Sequence, residues 1–366
     1  MDVTYPTYES IGVRPLINCR GTYTIISGSL SLPEVKAAME AASKRYVHLD
    51  ELMEKVGERI AEVMQCEFGL VTNGCAAAIC QVTSACMAGD DPEAIKQLPD
   101  TTGLKDEVVL QKKHQHVYNH AIRMTGANII EVETLEEMEA AVGDQTAMLA
   151  VFGDAADRGE VSVAEMVTIG KREGVPVFVD AAAERPDVPN RYLEEGADAV
   201  AYSGGKCLRG PQSSGLVLGR RDLLWTAFMH GAPHHGIGRP MKAGKEEVMG
   251  LLAAVEKWVE RDHDAEWKMW EGWLDEIWNA VSHVPSVTRE IQMPGRSNVA
   301  PILKIGWDAS RVELDPEQAR QALSDGDPRI EVFTHETGVE FMAYMMEESE
   351  ATLVAKRLHE VLQSGK

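Results

Sequence analysis

The sequence predicts an α/β protein: a buried, mostly parallel central sheet covered by helices on both faces, with a smaller C-terminal α+β domain. Two observations carry this. Short, nearly continuous apolar runs alternate with helical patterns through the middle of the chain, which is how strands covered on both faces read. Near residue 244 the alternation stops, and a Trp-rich helical stretch leads into a short mixed tail. At 366 residues and 44% hydrophobic content, the chain has enough apolar material for more than one core.

In order, "EFGLVT" (67–72) reads as a strand and the Ala-rich stretch 73–87 as a helix. "DEVVLQ", a helix around 117–125 and "ANIIEV" follow. "TLEEMEAAV" is helical, and Thr134 with Glu137 has capping-box spacing. "TAMLAVF", a helix at 162–173, "VPVFVD" and "ADAVAYS" continue the alternation. The stretch 244–284 holds five of the seven tryptophans and reads as a helix bridging two domains. The tail reads strand, helix, strand, strand, helix: "VAPILKIGW", "DPEQARQAL", "RIEVF", "GVEFMAY", "ESEATLVAKRLHEVL". The expected organisation is an N-terminal arm over 1–50, a large α/β domain over 51–243, the bridge over 244–284 and a small domain over 285–366.

Composition narrows the function. The net charge is −22, from 36 Lys+Arg against 58 Asp+Glu, with no basic block. Such a chain repels phosphate backbones, so no nucleic-acid partner is expected. No apolar stretch is long enough to cross a bilayer, and the N-terminus lacks a basic start and apolar run, so a cytoplasmic protein without membrane contact is expected. The six cysteines form no C-x-x-C and read as small apolar residues in a reducing compartment.

Ligands of open α/β sheets sit at the carboxyl ends of the strands, and three features fall there. The turn at Gly74, Cys75 and Ala76 opens a helix, whose free N–H groups and dipole favour a phosphate. By itself it also reads as an ordinary strand-to-helix turn. Asp180 ends "VPVFVD", where a buried carboxylate needs a partner. A pyridinium N–H, a helix end or a local ion pair would each serve. Lys206 follows "ADAVAYS" within "AYSGGKCLRGPQSSG". It is not a nucleoside-triphosphate loop, because Val200 and Cys207 stand where G-x-x-x-x-G-K-[ST] needs Gly and Ser or Thr. A lysine at a buried sheet end loses its proton readily, which suits Schiff-base chemistry. Ser203 adds a hydroxyl for the same phosphate. One ligand meets all three features: pyridoxal phosphate, which needs a lysine for its aldehyde, an acid for its ring nitrogen and an anion site.

With these residues in hand, the chain resembles fold-type-I pyridoxal-phosphate enzymes of the selenocysteine-synthase-like group. That group holds L-seryl-tRNA selenium transferase and D-glucosaminate-6-phosphate ammonia-lyase. The likeness rests on "GVRPLINCRGTYT", "LVTNGCAAAI", "VDAAAE" and "YSGGKCLRGPQSSGLVLGR" and covers nearly the whole chain. It implies the fold-type-I transferase fold and a homodimer or larger homo-oligomer. It also implies Lys206 as the Schiff-base lysine, Asp180 as the ring-nitrogen partner, and Ser203 with the Gly74–Ala76 turn as the phosphate site. Arg239, in "GIGRPMKAGKEE", matches a family basic position and is the leading candidate for a substrate anion. Arg20 and Arg209 are weaker ones. His116 is the choice for stacking on the pyridine ring. Selenium-transferring members carry an Arg after an Asn-Leu-Gly and an extra tRNA domain. Here the turn reads Ser27-Gly28-Ser29-Leu30 and the chain opens on the catalytic core, so tRNA-dependent chemistry is not expected.

The expected activity is therefore an ammonia-lyase on a small β-hydroxy amino acid, such as D-glucosaminate or its 6-phosphate. An amino-acid racemase is the nearest alternative, since both begin by removing the Cα proton. A non-catalytic homologue is disfavoured by the presence of both Lys206 and Asp180. "HQHVYNH" leaves a metal-dependent hydrolase as the rival enzyme class. His114 and His116 would share one side of a strand reaching that far, with Asp154 and His230 as further ligands.

Overall fold

The computed structural model describes residues 5–364, so the outermost ends of the expected arm and small domain lie outside the described residues. The chain forms two compact units. One is Ser29–Arg261 with Arg296–Val299. The other takes the residues up to Gly28, Asp262–Gly295 and those from Ala300 onward. The expected arm thus falls in both units, and the expected bridge divides at Arg261–Asp262.

The larger unit is built on a seven-stranded sheet. Its strands in chain order are β1 (Phe68–Thr72), β2 (Glu107–Gln111), β3 (Asn128–Val132), β4 (Thr146–Phe152), β5 (Val177–Asp180), β6 (Ala199–Ser203) and β7 (Gly215–Gly219). Their spatial order is β1-β7-β6-β5-β4-β2-β3. All pairs are parallel except those of β7, which runs antiparallel to both β1 and β6. Strands β1, β4, β5 and β7 are buried at every position, which explains why they read as unbroken apolar runs. Strand β7 was not anticipated: glycines bound its apolar centre, and it lies inside the lysine-loop motif.

Helix Gly74–Ala88 is buried along most of its length, as its run of Ala, Ile, Cys and Val requires. Helix Val163–Glu173 starts with a full capping box from Ser162 and Glu165. At the helix Leu135–Ala141, Thr134 accepts from the Glu137 N–H, while the Glu137 carboxylate takes the N–H of Glu133 instead of Thr134. Helices Pro33–Ser43 and Leu49–Met64 occupy a region read only as an arm.

The smaller unit has a four-stranded antiparallel sheet in the order Phe333–His335, Gly338–Met342, Ile302–Gly306, Thr288–Gln292. Helices His263–Val281, Pro316–Asp325 and Glu350–Ser364 belong to it. "RIEVF" is two strands, not one. Arg329–Glu331 pairs in parallel with Leu16–Asn18, and Phe333–His335 pairs with Gly338–Met342. The Trp-rich stretch is likewise two helices, Lys245–Glu260 and His263–Val281. Arg261 leaves helical geometry, and the Asp262 carboxylate caps the second helix on the N–H of Ala265.

Candidate active site

Register places the candidate residues side by side at the carboxyl end of the sheet. Phe152 pairs with Asp180, Asp180 with Ala201, Ser203 with Gly215, and Gly215 with Thr72. The ends of β4, β5, β6 and β1 therefore form one continuous edge, although their residues are far apart in the chain.

At β1 the Thr72 hydroxyl donates to the Gly74 carbonyl at 3.0 Å, folding the chain into its helix. Asn73 does not cap that helix through its side chain. Its amide donates instead to the Lys242 carbonyl at 2.9 Å. The first-turn N–H groups keep their positive end of the dipole without a side-chain partner, and the space in front of Gly74 is open to 4 Å. This fits a phosphate.

Asp180 is 7% exposed, and its Oδ1 is buried with no hydrogen-bond partner. Burial pushes its carboxyl up from 3.8 to about 6. The Lys206 charge, the Ala182 N–H and the Cys75 thiol oppose that rise, while Asp154 adds to it. An orphaned, buried acceptor at a strand end is the complement of a ring N–H. The Cys75 thiol beside it is itself pushed far up by burial and stays neutral.

Lys206 is half-buried on a loop that turns back on itself. Arg209 N–H donates to its carbonyl at 2.9 Å, Gly210 N–H to the Gly204 carbonyl at 2.8 Å, and Gly204 N–H to the Ser214 carbonyl at 2.9 Å. A Cβ on Gly204 would meet Ser214 Oγ at 2.0 Å and one on Gly205 would meet Gln212 Cα at 2.8 Å, so the two residues before the lysine must be small. Ser203, half-buried at the end of β6, donates its N–H to the Ala182 carbonyl at 3.2 Å.

The fit between the two halves of the site depends on Gly215. A Cβ there would meet Gly74 C and Thr72 Oγ1, each at 2.7 Å. Gly215→Ala is expected to destabilise the protein by about 1–3 kcal/mol through overpacking and to weaken cofactor binding by displacing the Gly74 turn. Gly143→Ala, at a position with open space, should change stability by less than about 0.5 kcal/mol. Thermal melts and cofactor titration of both variants check this; equal behaviour would refute the packing argument.

The remaining candidates divide. His116 stacks on Phe152, with ring centroids 5.2 Å apart and 23° between planes, and on Tyr118 at 5.1 Å. Phe152 is the register neighbour of Asp180, so His116 stands at the site edge. His114 turns the other way: it is buried, and its Nε2 lies 3.0 Å from the Arg158 carbonyl. Strand β2 ends at Gln111 and a short 3-10 turn follows. The two histidines therefore do not share a strand face, which was the premise of a His-x-His zinc pair. His230 is also buried, with Nε2 2.8 Å from the Gly89 carbonyl.

Arg239 is exposed, on a loop pinned by a bridge between Gly231 and Gly238 and by the contact of Asn73 with Lys242. That tether brings the loop to the helix N-terminus at Gly74. Arg209 donates through Nε to the Leu30 carbonyl at 2.9 Å, holding the segment that enters the unit. Arg20 belongs to the other unit, where it pairs with Glu331 at 3.5 Å and lies 4.3 Å over the Phe333 ring.

Sequence reasoning missed a buried cluster beyond β5. Glu184 is 5% exposed, and both its oxygens accept from the Tyr192 hydroxyl, at 2.8 and 2.9 Å. Burial pushes its carboxyl up, against the Tyr192 hydrogen bond and the Arg296 charge. Arg296 donates to the Tyr192 oxygen at 3.0 Å. Glu184 was visible within "VDAAAE", but nothing local marks Arg296.

The aminotransferase class-V family model matches residues 34–236. Over 97% of its length the chain is 28% identical to D-glucosaminate-6-phosphate ammonia lyase of Salmonella typhimurium, covering 98% of that protein. The solved structure of D-glucosaminate-6-phosphate ammonia-lyase superposes with a TM-score of 0.87 at 27% identity, over 99% of this chain and 100% of that one. The chain is 35% identical to 5'-C-glycyluridine monooxygenase-decarboxylase of a Streptomyces species, over 69% of this chain and 65% of that one. It is 29% identical to L-seryl-tRNA(Sec) selenium transferase of Moorella thermoacetica, over 77% of this chain and 60% of that one.

Proposed function

The chain belongs to the aminotransferase class-V family, and on that premise we propose that it is a pyridoxal-phosphate-dependent ammonia-lyase. Its substrate is a small β-hydroxy amino acid, of the class of D-glucosaminate or its 6-phosphate, and its products are a 2-keto acid and ammonia. One observation carries the reading. Lys206 is close enough for its charge to act on the Asp180 carboxyl, whose Oδ1 is unpaired, next to a helix N-terminus without a side-chain cap. Near full-length similarity to an ammonia lyase supports the reaction type.

Pyridoxal phosphate, when bound, supplies an electron sink for the pair left behind when Cα loses its proton. The first-turn N–H groups at Gly74–Ala76, with the Ser203 hydroxyl, would hold the phosphate. Asp180, as a carboxylate, would hold a proton on the ring nitrogen, and His116 would stack on the ring. Lys206 would hold the aldehyde, and its amine, when free, is the base that would take the Cα proton. Arg239 binds an anionic group of the substrate and turns the Cα–H bond toward Lys206. Departure of the β-hydroxyl with a proton, followed by hydrolysis, leaves the keto acid and ammonia.

Among the described residues no helix is long and apolar enough to cross a membrane. All six cysteines are free, which supports the cytoplasmic reading. A homo-oligomer is supported by Tyr46, Val47, Val117 and Tyr118, which the larger unit leaves exposed.

The reaction type is tested in deuterated water with paired amino acids that differ only in the β-hydroxyl. Ammonia release from the hydroxylated member and α-proton exchange alone in the other are expected. Inversion of both without ammonia would make the enzyme a racemase, and no exchange in either would refute the substrate class.

A further inference from the structure

Within the larger unit, Arg239 lies on a strap that is fastened along helix Gly74–Ala88. At the helix's C-terminal end, the buried His230 ring places Nε2 2.8 Å from the carbonyl of Gly89, the residue that ends the helix. At the N-terminal end, Asn73, which precedes the helix, donates its amide to the Lys242 carbonyl at 2.9 Å. Arg239 is three residues before Lys242, so its backbone stays within about 11 Å of that tie. The strap also closes on itself. Gly231 and Gly238 form a bridge, and the Gly238 N–H donates to the His230 carbonyl at 2.9 Å. The N–H groups of Arg239 and Met241 donate to the carbonyls of Gly236 and Gly238, at 3.0 and 2.9 Å.

Between these two ties stands Gln81, in the middle of the helix. It is 4% exposed, a buried amide that follows the apolar run Ala76–Cys80. Taking an amide out of water is unfavourable, so packing of the helix alone would favour an apolar side chain at this position. The Gln81 side chain fills the space that the strap leaves at its two bridged glycines. A Cβ on Gly231 would lie 2.8 Å from Gln81 Nε2, and one on Gly238 would lie 2.9 Å from Gln81 Cγ. For Gly231 the three nearest atoms all belong to Gln81. The bridge that closes the strap is therefore shaped around this one side chain.

We propose that Gln81 is a positioning residue for Arg239: it seats the Gly231–Gly238 bridge and so fixes where the arginine stands relative to the Gly74 turn. This rests on the lyase reading, in which Arg239 binds an anionic group of the substrate. Gln81 acts on that group through the strap. The helix that opens at the phosphate turn then also carries the seat of the strap. One helix sets the spacing between the cofactor's anion site and the substrate's, and a substrate whose anion lies at another distance from its amine is held in poor alignment.

Two measurements on the cofactor-loaded enzyme test this. Hydrogen exchange reads the seating of the strap without a ligand. In Gln81→Ala the amides of Gly238, Arg239 and Met241 should exchange at least tenfold faster than in wild type, while those of Leu216–Leu218 in β7 should not change. Calorimetry with D-gluconate 6-phosphate, an anionic hydroxy acid without an amine, reads the consequence. Gln81→Ala should weaken its binding at least fivefold in the wild-type background and less than twofold in the Arg239→Ala background, where no arginine remains to be misplaced. Gln81→Met, which refills the space, should recover most of the affinity. Gly231→Ala, whose added methyl would press on Gln81, should act like Gln81→Ala and serves if that variant does not fold. Unchanged exchange, or an equal loss of affinity in both backgrounds, would overturn the proposal. Faster exchange, with probe binding that Arg239→Ala leaves at the wild-type level, would defeat the anion role of Arg239 and leave the seat. Ammonia release is assayed in the same preparations. No ammonia from any β-hydroxy amino acid, with the coupling of Gln81 to Arg239 intact, would defeat the lyase reading alone.

Discussion

Replacing Lys206 with alanine is expected to lower turnover by at least four powers of ten, about 5.5 kcal/mol or more of lost transition-state stabilisation. In the proposed mechanism the residue would both hold the cofactor aldehyde and take the Cα proton, so one substitution would remove both the attachment and the base. The surrounding loop is held by backbone hydrogen bonds among Gly204, Arg209, Gly210 and Ser214. The variant should therefore fold, and loss of activity can be read as loss of the amine. Borohydride treatment of the wild-type holoenzyme should leave the cofactor on the peptide containing Lys206. Its recovery on Lys242 or Lys245, which lie on the loop tethered to Asn73 and at the start of the next helix, would refute the assignment.

Asp180→Asn should retain the cofactor yet lose at least three powers of ten in turnover, on the order of 4 kcal/mol. An amide cannot hold a proton on the ring nitrogen as a carboxylate does, so the electron sink fails while the phosphate site is intact. The same variant should behave oppositely in stability when no cofactor is bound. Burial raises the folded-state carboxyl from 3.8 to about 6. Below pH 3.8 the acid is protonated in folded and unfolded chains alike, and its burial goes unpenalised. As pH rises from 4 through 6, the unfolded chain ionises first and folded stability falls. Cofactor-free Asp180→Asn should thus be more stable than wild type at pH 7.5, by about 1–3 kcal/mol, with the gap closing toward pH 4. Chemical denaturation at the two pH values checks it. A wild type more stable than the variant at pH 7.5 would show that the carboxylate already has a partner.

The parts of the fold that were legible in the sequence are those whose signal is local. Strands β1 to β6 are short apolar runs between helices, and each was anticipated within a few residues. Lys206, Asp180 and the Gly74 turn could be grouped because each ends one of those runs. What escaped was set by partners distant in the chain. "RIEVF" has one strand's composition, but its first half is claimed by Leu16–Asn18 and its second by Gly338–Met342. The break at Arg261 contains no Gly or Pro; its only mark is Asp262, three residues before the N–H it caps. Arg296 meets Tyr192 across 104 residues of sequence, and no spacing rule reaches that far.

The position of β7 has a consequence for how the protein is made. Strand β1 sits at the edge of the sheet, and β7 is its sole neighbour there. Thr72 finds Gly215 across 143 residues. While a ribosome is still short of Gly219, β2 to β6 can already assemble in parallel, but β1 and its turn have no sheet to join. Closure across so long a loop is slow, and the emerging chain carries unpaired strand edges at β1 and β6 until it happens. The last strand of this sheet to emerge also joins the proposed phosphate turn at Gly74 to the loop bearing the lysine. A nascent or truncated chain therefore cannot capture its cofactor early, and loading becomes a report that the sheet is complete.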